Sequence, residues 1–172
     1  TTPLRQESKK TAVHIFDDYL CEHCEIFSKN EFVTLRFSEE AQEKKIKFIW
    51  HFYEINEASR PLAIATYCAF EQSDQGGWDM HDALFNTPTK ERTLQKTKSI
   101  AKHYNLDAEV WNTCLSAPET TEKIQKDEDL AQEWNITATP TTRIGGKNLP
   151  GRVPLENLIW EMKRMLSEKE HL

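Results

Sequence analysis

The sequence lacks the features of membrane-spanning and nucleic-acid-binding proteins. No run of apolar residues approaches the roughly 18 that a transmembrane helix needs. The net charge is −6 and acidic and basic residues are interspersed, so the charge pattern indicates neither a nucleic acid nor a lipid surface as partner. No signal peptide is recognisable. Because the chain opens on Thr1 rather than Met, we expect that a leading signal or anchor was removed or left out, and that residues 1–10 form an N-terminal tether.

Cysteine is scarce, and its spacing restricts what it can do. The chain has four cysteines: Cys21 and Cys24 are separated by two residues, whereas Cys68 and Cys114 stand alone. A zinc site needs about four ligands, normally supplied as two close pairs. We therefore predict no bound metal and no other cofactor. Half of a zinc site and an inert structural pair are the alternatives for the first two cysteines.

The Cys21–Cys24 pair lies where a strand pattern gives way to a helix pattern. Residues 12–16 are strand-like, and a helix is predicted from Glu22. Free backbone N–H groups and the positive end of the helix dipole stabilise a thiolate at such a junction. We therefore expect Cys21 to be the nucleophile. Cys24 lies one turn further along on the same helix face, so it can close a disulfide onto Cys21 and reopen it by exchange.

The two residues between these cysteines are expected to adjust the thiolate. A protonated or hydrogen-bonding His23 favours ionisation of Cys21, while the charge of Glu22 opposes it. We expect a moderately to strongly oxidising couple. The alternative is a solvated His23 with no role in the chemistry.

Alternation of apolar residues predicts a second strand over 45–55, with Ile46, Phe48, Trp50 and Phe52 facing a core. A strand, a helix and a strand in this order form a βαβ unit, whose strands should be parallel. The chain returns to strand patterns at about 141–144 and 147–153, the second as an edge strand because it contains proline. A clear amphipathic helix follows Pro154.

Residues 61–117 show only helical patterns. We predict a first helix ending at Gly76 and Gly77, a second beginning at Trp78, a third over 93–104 and a fourth capped by Asp107. A further helix should run from Pro118 to about Trp134. The stripe of Trp78, His81, Leu84 and Phe85 is interpreted as core.

Taken together, these segments resemble the thioredoxin fold, and the long helical insertion resembles its DsbA-like branch. The match extends from about Thr11 to Leu166. It rests on the order and spacing of these fragments: residues 16–24 (FDDYLCEHC), 67–72 (YCAFEQ), 78–85 (WDMHDALF), 106–107 (LD), 114–115 (CL), 136–141 (ITATPT) and Gly151. The resemblance implies an α/β thioredoxin fold, a central mixed β-sheet flanked by helices, with an inserted all-helical domain. The expected domains are thioredoxin-like over 11–60 and 118–172, and helical over 61–117.

The resemblance also implies roles for residues outside the CxxC motif. The peptide bond between Thr139 and Pro140 should be cis and lie against the active-site sulfurs, where it leaves a backbone edge for a substrate strand. Many thioredoxin-like chains carry a buried acid six residues before the first cysteine, whereas this chain has Ile15. Asp18 matches an acid of DsbA-like relatives and is a candidate proton relay or, equally, a helix cap.

Two alternatives are open for Cys68 and Cys114. A second, structural disulfide would staple the helical segment and stabilise it by a few kcal/mol, as expected for a loop of roughly 45 residues. Four cysteines with a redox motif favour this alternative, because they indicate an oxidising compartment. The other alternative is a pair of buried free thiols.

The predicted function is a protein thiol–disulfide oxidoreductase that introduces disulfides into extracytoplasmic proteins through Cys21 and Cys24. Expected partners are extended, reduced or misoxidised polypeptides and a membrane or soluble redox recycling partner, the chain itself being a monomer. The expected location is the bacterial periplasm or the outer face of the membrane. A reductase or isomerase of the same fold is the first alternative, and a binding or chaperone module without catalysis is the second.

Overall fold

The computed structural model describes residues 12–169, and its central feature is a mixed sheet of four strands. The strands are β1 (Ala12–Asp17), β2 (Lys47–Phe52), β3 (Thr141–Ile144) and β4 (Lys147–Pro150), in the order β2-β1-β3-β4. β2 is parallel to β1, which confirms the βαβ unit, whereas β3 is antiparallel to β1 and β4 to β3. The predicted tether over 1–10 lies outside the described residues.

The first helical segment carries the CxxC motif. It consists of α1 (Glu22–Phe27), a π-helical turn (Ser28–Phe32) and α2 (Val33–Arg36). The π-helical turn interrupts the α-helix only locally, and the helix resumes at Val33. A short helix, α3 (Glu39–Glu43), then leads to β2.

Five longer helices and two 3₁₀ turns, at Glu57–Ser59 and Thr89–Glu91, connect β2 to β3. The helices are α4 (Arg60–Gln72), α5 (Asp74–Phe85), α6 (Leu94–His103), α7 (Ala108–Leu115) and α8 (Pro118–Glu133). The closing helix is α9 (Leu155–Lys169). Cys68 of α4 and Cys114 of α7 form a disulfide, with Cα atoms 5.6 Å apart. The division into domains stays a prediction.

Gly76 and Gly77 do not end a helix, so that prediction was wrong. They lie in the first turns of α5, whose N-cap is Ser73. A Cβ atom at position 77 would clash with the ring of Phe70. The glycine therefore allows α4 and α5 to approach closely, which is a packing role rather than a turn signal.

Both faces of β1 are covered, because every residue of this strand is buried. Val13 and Ile15 face a core cluster that also contains Cys24 and Met162, while Phe16 packs with Ala131 and Ile136 on the other face. The stripe predicted as core on α5 is confirmed, with His81, Leu84 and Phe85 fully enclosed. Within residues 12–169, no helix is long and apolar enough to cross a membrane.

Candidate active site

Cys21 occupies the N-cap position of α1. Its backbone is extended (φ −85°, ψ 115°), and its sulfur accepts a hydrogen bond from the backbone N–H of Cys24 at 3.2 Å. One of the N–H groups that a helix start leaves unpaired is thus directed at this sulfur. The pKa of Cys21 is lowered to about 6, chiefly by the hydrogen bond from the Cys24 thiol, then by Thr139 and the Cys24 N–H, while burial opposes the change.

Cys24 lies in the opposite environment. It has no exposed surface, whereas Cys21 keeps 7% of its own. Burial is the main cause that raises the pKa of Cys24, and the hydrogen bond to Cys21 and the charge of Asp17 act in the same direction. The reduced pair therefore carries a thiolate on the more accessible sulfur and a thiol on the enclosed one, which is the arrangement that disulfide exchange requires.

Thr139 and Pro140 lie beside the first of these sulfurs. The peptide bond between them is cis. The hydroxyl of Thr139 donates to the Cys21 sulfur at 3.4 Å, and the Thr139 carbonyl lies 3.7 Å from it. The loop is held by two hydrogen bonds, from Gly151 N–H to the Pro140 carbonyl and from the Thr141 hydroxyl to the Ala138 carbonyl, both 2.7 Å.

Glu22 and His23 are both exposed on the first turn of α1. Neither side chain makes a hydrogen bond or ion pair with any other of the described residues 12–169. Their contributions to the chemistry stay predictions.

Asp18 does not cap the active-site helix, because the N-cap is Cys21. Its fully buried carboxylate accepts hydrogen bonds from Leu20 N–H (2.7 Å), Ile55 N–H (2.9 Å) and the Ser59 hydroxyl (2.6 Å). Burial raises the pKa of Asp18 in spite of these donors. The carboxylate thus joins the loop after β1 to the loop after β2, and a proton relay through it stays a prediction.

Sequence reasoning missed a second buried acid, Asp17, at the end of β1. Its carboxylate accepts from Trp50 Nε1 at 2.7 Å and pairs with His81 Nε2 at 3.0 Å. No local pattern indicates this pair, because His81 lies 64 residues away in α5. The only signal was a carboxylate at the end of a strand that is apolar apart from His14.

Arg92 was also missed, and it fastens the helical segment to the active site. Its buried guanidinium donates to the backbone carbonyl of Tyr19, just before Cys21, and pairs with Glu25 in α1. The same group donates to the carbonyls of Leu84, Phe85 and Thr87 at the end of α5. Among residues 12–169, no group of three or more potential ligands is arranged to hold a metal ion.

A family model described as thioredoxin matches residues 6–160. The chain belongs to the thioredoxin family. Among curated proteins, this thioredoxin-family chain is similar to disulfide bond formation protein D of Bacillus subtilis, with 26% identity over 160 residues, covering 84% of this chain and 67% of that protein.

Two solved structures show the same fold. The thiol-disulfide exchange protein alpha-DsbA2 from Wolbachia pipientis has a TM-score of 0.77 and 22% identity, covering 90% of this chain and 81% of its own. Oxidised BdbD from Bacillus subtilis has a TM-score of 0.76 and 22% identity, covering 91% and 89%. The predicted thioredoxin fold with a DsbA-like helical insertion is confirmed, and so is the class of thiol–disulfide oxidoreductase.

Proposed function

We propose that this DsbA-like thioredoxin oxidises thiol pairs in extracytoplasmic polypeptides. The observation that carries the proposal is the lowered pKa of Cys21, to about 6. A cysteine that is a thiolate at neutral pH stabilises the reduced protein relative to its disulfide. Such a protein gives its disulfide away readily, and this is the property of an oxidant.

The reaction consists of two exchanges. A substrate thiolate attacks the Cys21 sulfur of the Cys21–Cys24 disulfide, and Cys24 leaves as a thiolate that takes up a proton. A second substrate thiolate then attacks the substrate sulfur of the mixed disulfide, and Cys21 leaves as a thiolate. The substrate loses two electrons and two protons and gains a disulfide, and the enzyme pair becomes reduced.

Access to the sulfurs supports this order. Cys24 is fully enclosed and Cys21 is not, so an incoming thiolate reaches Cys21. Thr139 and Pro140 border the same sulfur, and an extended substrate would pair with the backbone there, with loose sequence specificity. A recycling partner that carries an oxidising disulfide would then restore the Cys21–Cys24 bond.

The Cys68–Cys114 disulfide supports an extracytoplasmic location. Structural disulfides form and persist in oxidising compartments and are rare in the cytosol. This bond joins two helices that are far apart in sequence, with a separation of 46 residues. The bond is therefore consistent with a protein that acts in an oxidising compartment outside the cytoplasm.

The test is the equilibrium of the pair with glutathione, together with oxidation of a reduced peptide that contains two cysteines. An oxidase should have a reduction potential well above that of the thioredoxin class and should oxidise the peptide stoichiometrically. A potential near the thioredoxin class would contradict the proposal and favour a reductase or isomerase. The absence of any exchange would favour a binding module. A Cys24→Ala variant should retain substrates as mixed disulfides on Cys21, and Cys21→Ala should retain none.

A further inference from the structure

Asp17 and His81 form an ion pair that is completely closed to solvent. Both side chains have 0% exposure, and the carboxylate lies 3.0 Å from His81 Nε2. The other carboxylate oxygen accepts from Trp50 Nε1. A buried pair of this kind is costly to form and leaves an uncompensated charge when either partner is removed.

This pair faces the cysteines. Side chains alternate across a strand, so Asp17 points to the same face of β1 as Val13 and Ile15. That face packs on the cluster containing Cys21 and Cys24. The charge of Asp17 contributes to the raised pKa of Cys24 and opposes the lowering of the pKa of Cys21.

His81 is arranged to hold its proton. Its Nδ1 lies 2.9 Å from Asp82, and Asp82 is in turn bound by Arg36. Burial opposes a charged imidazole, but Asp17 and Asp82 outweigh it and raise the pKa of His81 above its ordinary value. Aromatic rings enclose the imidazole and keep water from it; those with centroids within 6.5 Å belong to Tyr19, Phe32, Trp50, Trp78 and Phe85.

We propose that Asp17 and His81 are a positioning pair for the exchange reaction. Their two charges together set the electrostatic potential at the Cys24 sulfur as it leaves the disulfide. The inference rests on the proposed function only in taking the exchange to be the protein's reaction. When a substrate thiolate attacks Cys21, the bond to Cys24 breaks and a negative charge develops on an enclosed sulfur. The carboxylate of Asp17 opposes that charge, and the His81 proton offsets it. The two residues therefore act on the couple in opposite directions.

Other ionisable side chains also interact with Asp17 or His81. The ionisable side chains that interact with Asp17 or His81 come from the β1–α1 loop and from α1 and α5, with Arg36 of α2 one contact further away: Tyr19, Cys21, Cys24, Asp18, Asp82 and Arg36. None of these residues is replaced in the variants below, so each variant alters the charge of Asp17 or His81 alone.

The experiment is the glutathione equilibrium and the pKa of Cys21, measured from pH 5 to 8 in three variants. Asp17→Asn removes the negative charge and should favour the reduced protein by roughly tenfold. His81→Asn removes the positive charge and should disfavour it by a similar factor. Asp17→Asn/His81→Asn should return close to the wild-type value, because both charges are gone.

The matched control lies on the other face of the same sheet. Asp127 pairs with His51 at 2.6 Å, so Asp127→Asn also disrupts a buried histidine–aspartate pair and should leave the equilibrium unchanged. Shifts of the same sign in both single variants, or no shift in either, would overturn the inference, because a purely structural pair has no reason to give opposite signs.

A measurement on the unaltered protein covers the case in which the variants do not fold. Coupling between charges is reciprocal, so the pKa of the His81 imidazole, followed by NMR, should be higher in the reduced protein than in the oxidised one. Equal values would overturn the inference. The glutathione equilibrium responds to these charges whether the protein acts as an oxidase or as a reductase. A reductase-like potential with oppositely signed shifts would therefore contradict the proposed oxidase and leave the pair's role intact.

Discussion

The hydroxyl of Thr139 donates a hydrogen bond to the sulfur of Cys21 at 3.4 Å, although the two residues are 118 positions apart. The residue before the cis-proline thus contacts the sulfur directly and contributes to its acidity. It can be tested without disturbing the helix that carries the CxxC motif.

Replacing Thr139 by valine should make Cys21 less acidic. The change removes a hydrogen bond that favours the thiolate, so the pKa of Cys21 should rise from about 6 toward about 7. The absorbance of the thiolate at 240 nm, followed against pH, measures this pKa. Thr142→Val is the control, because the Thr142 hydroxyl is buried and has no partner in the described structure. An unchanged pKa in the Thr139 variant would show that the contact contributes nothing.

Alkylation of the reduced protein by iodoacetamide should follow the ionisation of Cys21, with half of the maximal rate at about pH 6. If the inflection is lost in Cys21→Ser but kept in Cys24→Ser, it belongs to the ionisation of Cys21. A midpoint near 9 would contradict the lowered pKa.

The stability of the reduced protein should depend on pH for the same reason. The pKa of Cys21 is lower in the folded protein than its ordinary value of 9.0. Its contribution is therefore fully present above about pH 9 and is lost as the pH falls through about 6. Between pH 5 and 8, the unfolding free energy of the reduced form should rise with pH relative to that of the disulfide form. Denaturant unfolding of both forms measures this difference. In Cys21→Ser, which forms no such disulfide, the unfolding free energy should lose this rise with pH.

Removal of the second disulfide should destabilise the fold without changing the chemistry. The bond closes a loop with a sequence separation of 46, and the double change Cys68→Ala/Cys114→Ala should cost about 4 kcal/mol of unfolding free energy. Urea titration measures the loss, and the pKa of Cys21 should stay the same. A loss below about 1 kcal/mol would mean that the bond is not a major source of stability.

Gly77→Ala should destabilise the protein although alanine is the better helix former. The added Cβ would clash with the Phe70 ring, and such overpacking costs roughly 1–3 kcal/mol, against a gain of about 1 kcal/mol in helix propensity. In a Phe70→Leu background the same change should cost less, as thermal unfolding would show. Gly76→Ala is the comparison, since its close contact is the flexible end of Leu106.

Local patterns predicted the parts of the fold that depend on local sequence. The junction of β1 with α1, the N-cap role of Asp107 and the closing helix all follow from spacing and cap chemistry. The position of Thr139 beside Cys21 came from the family resemblance, because no spacing rule relates residues so far apart.

The features that differ from the sequence-based predictions, or that these predictions lacked, share one physical cause. Gly77 resembles a helix end in sequence, and its contact with Phe70 exists only after two helices pack. Alternation along β2 places His51 opposite the core-facing Trp50 and Phe52, yet it is buried because Asp127 of α8 lies over it. Asp17 and His81 meet only when α5 covers the sheet. Each depends on a tertiary contact that a single sequence does not encode locally.

The guanidinium of Arg92 connects three parts of the structure. It binds the backbone before Cys21, a side chain of α1 and the end of α5 at the same time. The helical segment cannot separate from the redox motif without breaking these bonds together. Amide hydrogens in α5 and α1 should therefore exchange with deuterium as one cooperative unit, and a protease should find no stable intermediate in which one segment has opened and the other has not.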